Sequence, residues 1–129
     1  MRTVLVVDDD ALIRWSIRTV LERTYRVVEA GDGAEALAVL ANGGADLVVS
    51  DLAMAGMDGL AFIEELRRRG HSAKILILTA FETEDVDRRA FRLGVAGVLR
   101  KPIDLPSLYE VVRSHLDNPP VPPVGTGEA

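Results

Sequence analysis

Acidic, hydroxyl and amine side chains follow four short apolar segments of this chain. Asp8 and Asp9 come after the first segment, Asp51 and Thr79 after two later ones, and Lys101 after the last. The carboxyl ends of parallel strands lie at one edge of a sheet, so we expect these side chains to lie together. Three neighbouring carboxylates raise one another's pKa unless a cation lies among them, and such oxygen ligands suit a hard divalent ion. The pattern therefore predicts an Mg²⁺ site suited to phosphate chemistry.

The segments that carry these residues alternate between strand-like and helix-like patterns. Short apolar, β-branched runs predict strands at 4–7, 25–28, 47–49, 75–78 and 97–99. Apolar residues at helical spacing predict helices at 11–23, 33–41, 58–69, 83–93 and 104–116. Alternating strands and helices indicate right-handed parallel crossovers with helices on both faces of the sheet. The predicted fold class is α/β, a single doubly wound five-stranded parallel sheet flanked by five helices.

Length and composition exclude several classes of protein. With 129 residues, 48% of them hydrophobic, the chain suits one domain with a single core. A net charge of −5 argues against direct nucleic-acid binding, and the absence of cysteine excludes disulfides, thiolate zinc sites and cysteine nucleophiles. No apolar run approaches the roughly 20 residues of a membrane span. We expect a cytoplasmic protein with no membrane segment.

Residues 118–129 differ in composition from the rest. They hold four of the six prolines and offer few apolar side chains to bury, which is typical of a linker or a disordered tail. The predicted domain therefore covers residues 1–117. Such a tail fits a piece of a longer protein with an output domain, and it fits a single-domain protein equally well.

Four motifs resemble those of response-regulator receiver domains, the phosphoacceptor half of two-component signalling. They are Val-Asp8-Asp9, Ser-Asp51, Thr79-Ala and Lys101-Pro, in the family's order and approximate spacing. The resemblance covers about residues 2–117 and implies the flavodoxin-like strand order 2-1-3-4-5. Segment 7–15, Val-Asp-Asp-Asp-Ala-Leu-Ile-Arg-Trp, further resembles receivers of the nitrogen-regulatory class, whose members commonly precede an ATPase module and a DNA-binding domain.

The resemblance implies a nucleophile and a metal site. Asp51 would be the phosphoacceptor, attacking phosphorus to form an aspartyl phosphate. Asp8, Asp9, Asp51 and the backbone carbonyl of Ala53 would hold Mg²⁺, with water or phosphate oxygens completing the octahedron. We interpret Asp10 as the cap of the first helix rather than as a ligand.

Two further residues would act on the phosphoryl group. The resemblance implies that Lys101 reaches its oxygens from a cis peptide bond with Pro102, and that Thr79 donates its hydroxyl and moves on phosphorylation. Receivers usually carry an aromatic residue three positions before this lysine, but the chain has Val98 there. Because valine is stiff and small, we expect the signal to pass through movement of residues 81–93, or switching to be weak.

The implied function is a phosphorylation-driven switch with a sensor histidine kinase as donor. The output would act through the face of helix 83–93, strand 97–99 and helix 104–116, by contact with an output domain or by homodimerisation. We expect self-phosphorylation and slow self-dephosphorylation only, without enzymatic turnover, because the apolar Ala53 and Phe81 cannot orient a hydrolytic water.

Three alternatives remain open at this stage. One is an atypical receiver that works as a protein-interaction module without phosphorylation. A haloacid-dehalogenase-like phosphatase would need a second carboxylate two residues after its nucleophile, which Asp8 has in Asp10 but Asp51 lacks. A flavodoxin-like nucleotide binder is disfavoured because the acidic first loop lacks the glycines of a phosphate cradle.

Two surface features have plain interpretations. Arg67, Arg68 and Arg69 end a predicted helix, where cations complement the helix dipole, so we interpret them as a solvated last turn. Trp15 on the first helix is equally compatible with contact to a partner and with partial burial in the domain.

Overall fold

Five β-α units follow one another along the chain in the computed structural model, which describes residues 2–52, 59–80 and 84–117. The strands are β1 (Thr3–Val7), β2 (Arg26–Ala30), β3 (Leu47–Asp51), β4 (Lys74–Thr79) and β5 (Gly97–Arg100). The helices are α1 (Ala11–Leu21), α2 (Gly33–Asn42), α3 (Gly59–Arg68), α4 (Glu84–Arg92) and α5 (Leu105–Leu116). All strands pair in parallel, in the order β2-β1-β3-β4-β5. The predicted fold class and strand order are confirmed.

The hydrophobic core forms two layers, one on each face of the sheet. Leu5 and Val7 of β1 pack into the layer that includes α2 and α3 residues, whereas Val4 and Val6 pack into the layer that includes α1 and α5 residues. Alternate side chains of a strand point to opposite faces, so a strand covered on both sides must be apolar at every position. The three continuously apolar runs are β1, β3 and β4, which occupy the three internal positions of the sheet.

Aspartate caps begin three of the helices directly after the loops at the carboxyl edge. The Asp10 carboxylate accepts hydrogen bonds from the N–H groups of Leu12 (2.9 Å) and Ile13 (3.4 Å), which confirms its interpretation as a cap. Asp32 and Asp104 begin α2 and α5 in the same way. These caps satisfy N–H groups that a helix start leaves without a partner, so the loops between strand and helix stay short.

Helix α1 and strand β2 differ from their predicted bounds, which are 11–23 and 25–28. Helix α1 ends at Leu21, because the N–H groups of Thr24 and Tyr25 both donate to the Leu21 carbonyl, at 3.1 and 2.9 Å, and close the chain into a turn. Tyr25 therefore precedes the strand instead of opening it. Its ring is buried, and its hydroxyl donates to Asp117 Oδ2 at 2.6 Å, at the end of α5.

The interpretation of all three arginines at the end of α3 as solvated is wrong for Arg67. Its guanidinium donates to four backbone carbonyls, those of His71, Ala73, Leu93 and Gly94. These carbonyls belong to the loop before β4 and the loop before β5, so one side chain connects α3 to both. Arg68 and Arg69 do fit the interpretation, because they pair with Glu65 at the helix surface.

None of the described helices is long and apolar enough to cross a lipid bilayer. Residues 118–129, the predicted tail, lie outside the described part of the chain, so the domain boundary near residue 117 stays a prediction.

Candidate functional site

Asp8, Asp9 and Asp51 form a carboxylate cluster at the carboxyl edge of the sheet. The register of β1 with β3 places Val7 opposite Ser50, and the chain then continues into Asp8 and Asp51 on neighbouring strands. One carboxylate oxygen from each of the three residues lies within 4.8 Å of the others. Asp8 and Asp51 are buried and Asp9 is exposed, so Asp9 is the member of the cluster that faces solvent.

Lys101 reaches into this cluster from the end of β5. Its Nζ lies 3.1 Å from Asp51 Oδ2 and 3.3 Å from Asp8 Oδ2. The backbone holds the residue in place, because the Lys101 N–H donates to the Thr79 carbonyl at 2.9 Å and the peptide bond to Pro102 is cis, as expected. The Lys101 side chain therefore reaches from β5 past the end of β4, and its ammonium pairs with the carboxylates that follow β1 and end β3.

The electrostatics of the cluster reflect burial and this ion pair. Burial raises the pKa of the Asp8 carboxyl, and the Asp10 N–H and the Lys101 ammonium offset only part of that effect. Burial works against the charge of Lys101, but hydrogen bonds and Coulomb attraction from Asp51 and Asp8 outweigh it, so the pKa of Lys101 is raised. Three carboxylates face one ammonium, which favours the binding of a further cation.

The donor set fits a magnesium ion. Octahedral Mg²⁺ holds oxygen ligands at about 2.1 Å, so ligands on opposite sides of the ion lie about 4.2 Å apart. The three carboxylate oxygens lie within 4.8 Å of one another, so small side-chain rotations can bring all three to about 2.1 Å from one ion. Carboxylates are the hard ligands that Mg²⁺ prefers. The Ala53 carbonyl, the fourth predicted protein ligand, lies outside the described residues.

Thr79 ends β4 at the same edge of the sheet. Its side chain is fully buried, its Cα pairs with Arg100 of β5, and its carbonyl accepts the hydrogen bond from Lys101. Its role as a hydroxyl donor stays a prediction. Val98 is partly buried against the core layer that contains Ala90 of α4, so it occupies the position expected of the family's aromatic residue with much less volume.

One residue at the edge of the site was not singled out by sequence reasoning. Arg14 Nη1 donates to the backbone carbonyl of Asp8 at 2.6 Å, and Arg14 Nε donates to Glu29 Oε1 at 3.1 Å. A signal was present, because Arg14 lies four residues after Asp10, and positions four apart on a helix share a face. Its partner Glu29 is in β2, which the expected strand order places beside β1, but the sequence does not show that the two side chains meet.

Comparisons with known proteins agree with this geometry. The model of the response regulator receiver domain matches residues 4–113. The DNA-binding transcriptional regulator NtrC of Escherichia coli (strain K12) is 37% identical over 116 residues, which cover 84% of this chain and 24% of that protein. The chain therefore spans about a quarter of that relative's length, and the resemblance to the nitrogen-regulatory class is confirmed.

Solved structures show the same fold. The chemotaxis protein CheY4 of Vibrio cholerae matches with a TM-score of 0.84 and 31% identity, over 90% of this chain and 99% of that one. The response regulator TrrA of Thermotoga maritima, determined in complex with Mg²⁺-BeF, matches with a TM-score of 0.79 and 33% identity, over 90% and 100%. These likenesses favour a receiver over a phosphatase or a nucleotide binder. Since the family match spans most of the sequence, the chain belongs to the response regulator receiver domain family.

Proposed function

We propose that the chain is a phosphoacceptor domain in which Asp51 takes a phosphoryl group from a sensor histidine kinase. An Asp51 oxygen attacks phosphorus, the new P–O bond forms, and the P–N bond of the donor phosphohistidine breaks to release the imidazole. The observation that carries the proposal is the position of Asp51 at 3.1 Å from the Lys101 ammonium, within a cluster of three carboxylates. A lone surface aspartate would have neither neighbour.

The surrounding residues would each offset part of the negative charge on the transferred phosphoryl group. Asp8 and Asp9, with Asp51, would hold Mg²⁺, which supplies positive charge to the phosphoryl oxygens when bound. The complex of TrrA with Mg²⁺-BeF supports the choice of this metal. Lys101 is a second cation that can leave the carboxylates for a phosphoryl oxygen, because its flexible stem carries a mobile point charge. Thr79 would donate its hydroxyl to a third oxygen.

The reaction would be stoichiometric rather than catalytic. The phosphoryl group stays on the chain until water removes it, so the protein has no external substrate to turn over. Ala53 and Phe81 follow Asp51 and Thr79 by two positions in the sequence, and neither side chain can hydrogen-bond an attacking water. Slow self-dephosphorylation is therefore part of the proposal.

The output surface would be the α4-β5-α5 face. Asp87 of α4 pairs with Arg100 of β5 at 3.2 Å, so α4 is joined to the strand that leads into Lys101. Phe91 of α4 is 86% exposed and lies one turn after Asp87 on the same side of the helix, so it is accessible to a partner at this face. The partner would be an output domain or a second copy of the chain. A receiver that binds partners without phosphorylation is the remaining alternative.

Incubation with acetyl phosphate and Mg²⁺, followed by intact-protein mass spectrometry, tests the proposal. We expect one added phosphoryl group, which is lost when EDTA replaces Mg²⁺ and lost in Asp51→Asn. The matched control is Asp46→Asn, which changes an aspartate that accepts a hydrogen bond from the Thr3 N–H at the amino end of β1. An adduct that persists in Asp51→Asn would overturn the proposal. No adduct in a chain that binds Mg²⁺ would favour the phosphorylation-independent receiver.

A further inference from the structure

A network of two arginines and two glutamates lies beside the carboxylate cluster. Arg14 donates through Nε to Glu29 Oε1 at 3.1 Å, and Arg18 donates through Nη1 to Glu29 Oε2 at 2.7 Å. Arg18 also pairs with Glu22 at 3.2 Å. The hydrogen bond from Arg18, together with that from Arg14, lowers the pKa of Glu29, so this carboxylate stays charged at neutral pH. The Arg14 guanidinium is therefore fixed on its Glu29 side.

The other side of the Arg14 guanidinium holds the backbone of Asp8. Arg14 Nη1 donates to the Asp8 carbonyl at 2.6 Å, while the Asp8 N–H donates to the Ala30 carbonyl at 3.2 Å. The Asp8 carboxylate accepts from the Asp10 N–H at 2.9 Å through Oδ1 and from Lys101 through Oδ2. Asp8 is thus held at every polar group. Of these contacts, only the one from Arg14 fixes the carbonyl that leads into Asp9.

We propose that Arg14 is a positioning residue of the metal site, holding the Asp8–Asp9 peptide so that both carboxylates face the same ion. The inference rests on the proposed function, because it takes Asp8 and Asp9 as the metal ligands. Arg14 would not ligate the metal, because a guanidinium is a cation with no acceptor atom. It acts through the backbone of its ligands, as hydrogen-bonding groups behind metal ligands commonly do.

The charge of Arg14 and its hydrogen bond to Asp8 have opposite expected effects on Mg²⁺ affinity. Removing a positive charge from the neighbourhood of a cation site strengthens cation binding by Coulomb's law. Removing a hydrogen bond that orients the ligands weakens cation binding, because part of the binding free energy is then spent on ordering the loop. The sign of the change in Mg²⁺ affinity therefore separates a positioning role from an electrostatic one.

The experiment measures Mg²⁺ binding to the whole chain by isothermal titration calorimetry, with MgCl₂ as the only ligand. We expect Arg14→Gln to raise the Mg²⁺ dissociation constant about tenfold, the low end of the range for residues that orient metal ligands. The matched control is Arg18→Gln, which removes an equal charge and another Glu29 hydrogen bond but no contact with Asp8. We expect the control to stay within about twofold of the wild type. Thermal unfolding in EDTA checks that both variants fold.

A charge-neutral variant gives a second test in which Arg14 itself is not replaced. A Cβ added at Gly31 would lie 3.4 Å from Arg14 Nη1, an ordinary contact, so Gly31→Ala should bind Mg²⁺ like the wild type. Gly31→Val adds methyl groups that compete with the guanidinium for this space. We expect it to weaken Mg²⁺ binding as well, although every charge is kept.

The outcomes separate this inference from the proposed function. Unchanged or tighter Mg²⁺ binding in Arg14→Gln, with acetyl phosphate still labelling the wild type, would overturn the role of Arg14 alone. Equal weakening in Arg14→Gln and Arg18→Gln would also overturn it, because the effect would then belong to the network and not to the Asp8 contact. A wild type that binds no Mg²⁺ would overturn the proposed function and this inference together.

Discussion

When no metal is bound, the Lys101 ammonium offsets the negative charge of the Asp8 and Asp51 carboxylates. Its side chain is 21% exposed, whereas those of its partners Asp8 and Asp51 are 2% and 8% exposed. A buried carboxylate without a partner is costly, so in the metal-free chain the ammonium stabilises two side chains that the fold has removed from water. Mg²⁺ supplies the same compensation when it binds.

Lys101→Met should therefore lower stability in a way that metal reverses. In EDTA we expect the free energy of unfolding to fall by about 1–3 kcal/mol, because the two carboxylates lose their partner. In saturating Mg²⁺ the loss should shrink, since the removed cation no longer competes with the metal for Asp8 and Asp51. Urea unfolding with and without Mg²⁺ measures both values.

Arg113→Met is the control for this comparison. It removes an exposed ion pair with Glu110, and we expect a change below about 0.5 kcal/mol that does not depend on Mg²⁺. An equal loss for Lys101→Met in EDTA and in Mg²⁺ would show that Lys101 and the metal do not share the carboxylates.

At the scale of elements, the sequence predicts strands and helices well and long-range polar contacts poorly. Runs such as Val4 to Val7 determine their own position, because a strand that is apolar on both faces fits only in the covered middle of a sheet. The same pattern predicts that Asp51, the last residue of β3, lies at the carboxyl edge of the sheet. Arg67 is different, because the four carbonyls that it binds come together only when the loops before β4 and β5 have packed. Nothing in the local sequence separates it from Arg68.

Arg67→Ala should destabilise the domain where Arg68→Ala does not. Losing the guanidinium leaves the carbonyls of the two loops without a donor, and we expect a loss of about 1–3 kcal/mol. Arg68 is 71% exposed and pairs only with Glu65 in the described hydrogen bonds, so its loss should cost less than about 0.5 kcal/mol. Urea denaturation of the two variants measures the difference. Equal effects of the two substitutions would contradict a connecting role for Arg67.

The contact of β2 with α1 should depend on pH through Glu29. Its pKa is lowered in the folded chain by Arg18 and Arg14, from a usual value of 4.5. A lowered folded pKa gives stability that is present above the unfolded value and is lost as pH falls through the folded one. The wild type should therefore exceed Glu29→Gln in stability at pH 6, and the difference should shrink below about pH 4.5.

Thermal unfolding in EDTA between about pH 3 and pH 7 measures this difference directly. Glu110→Gln, at an exposed side chain, should differ little from the wild type across the whole range. A gap between wild type and Glu29→Gln that stays constant down to pH 3 would show that the arginines do not stabilise the charged form.

At the scale of the whole molecule, large apolar side chains of the described residues are exposed on two different helices. Leu12 and Trp15 on α1 are 69% and 60% exposed, so of the two interpretations of Trp15 the structure favours a side chain open to a partner. Leu12 also lines a groove of about 320 Å³, together with Ile13, Lys101 and Pro102. Phe91 is also exposed, on helix α4 of the proposed output face.

Self-association of the phosphorylated chain should depend on Phe91 and not on Trp15. If the α4-β5-α5 face joins two copies, Phe91→Ser should raise the dimer dissociation constant about tenfold or more, since burying a phenylalanine side chain contributes about 1.5–3 kcal/mol. Trp15→Ser removes an aromatic side chain of similar exposure from the other helix and is the matched control. Sedimentation velocity before and after acetyl phosphate treatment measures both variants. A phosphorylated wild type that stays monomeric would contradict the dimer and leave an output domain as the partner.

The position of the phosphoryl group tests the account most directly. Borohydride reduces an aspartyl phosphate at its carbonyl carbon and releases phosphate, which leaves homoserine in place of the modified aspartate. After treatment with acetyl phosphate and Mg²⁺, peptide mass spectrometry should find homoserine at position 51 only, because Asp51 ends the central strand β3, with Asp8 after the neighbouring strand β1 and Thr79 at the end of the neighbouring strand β4. Homoserine at position 8 or 9, or at none of the three, would contradict the assignment of Asp51 as the phosphoacceptor.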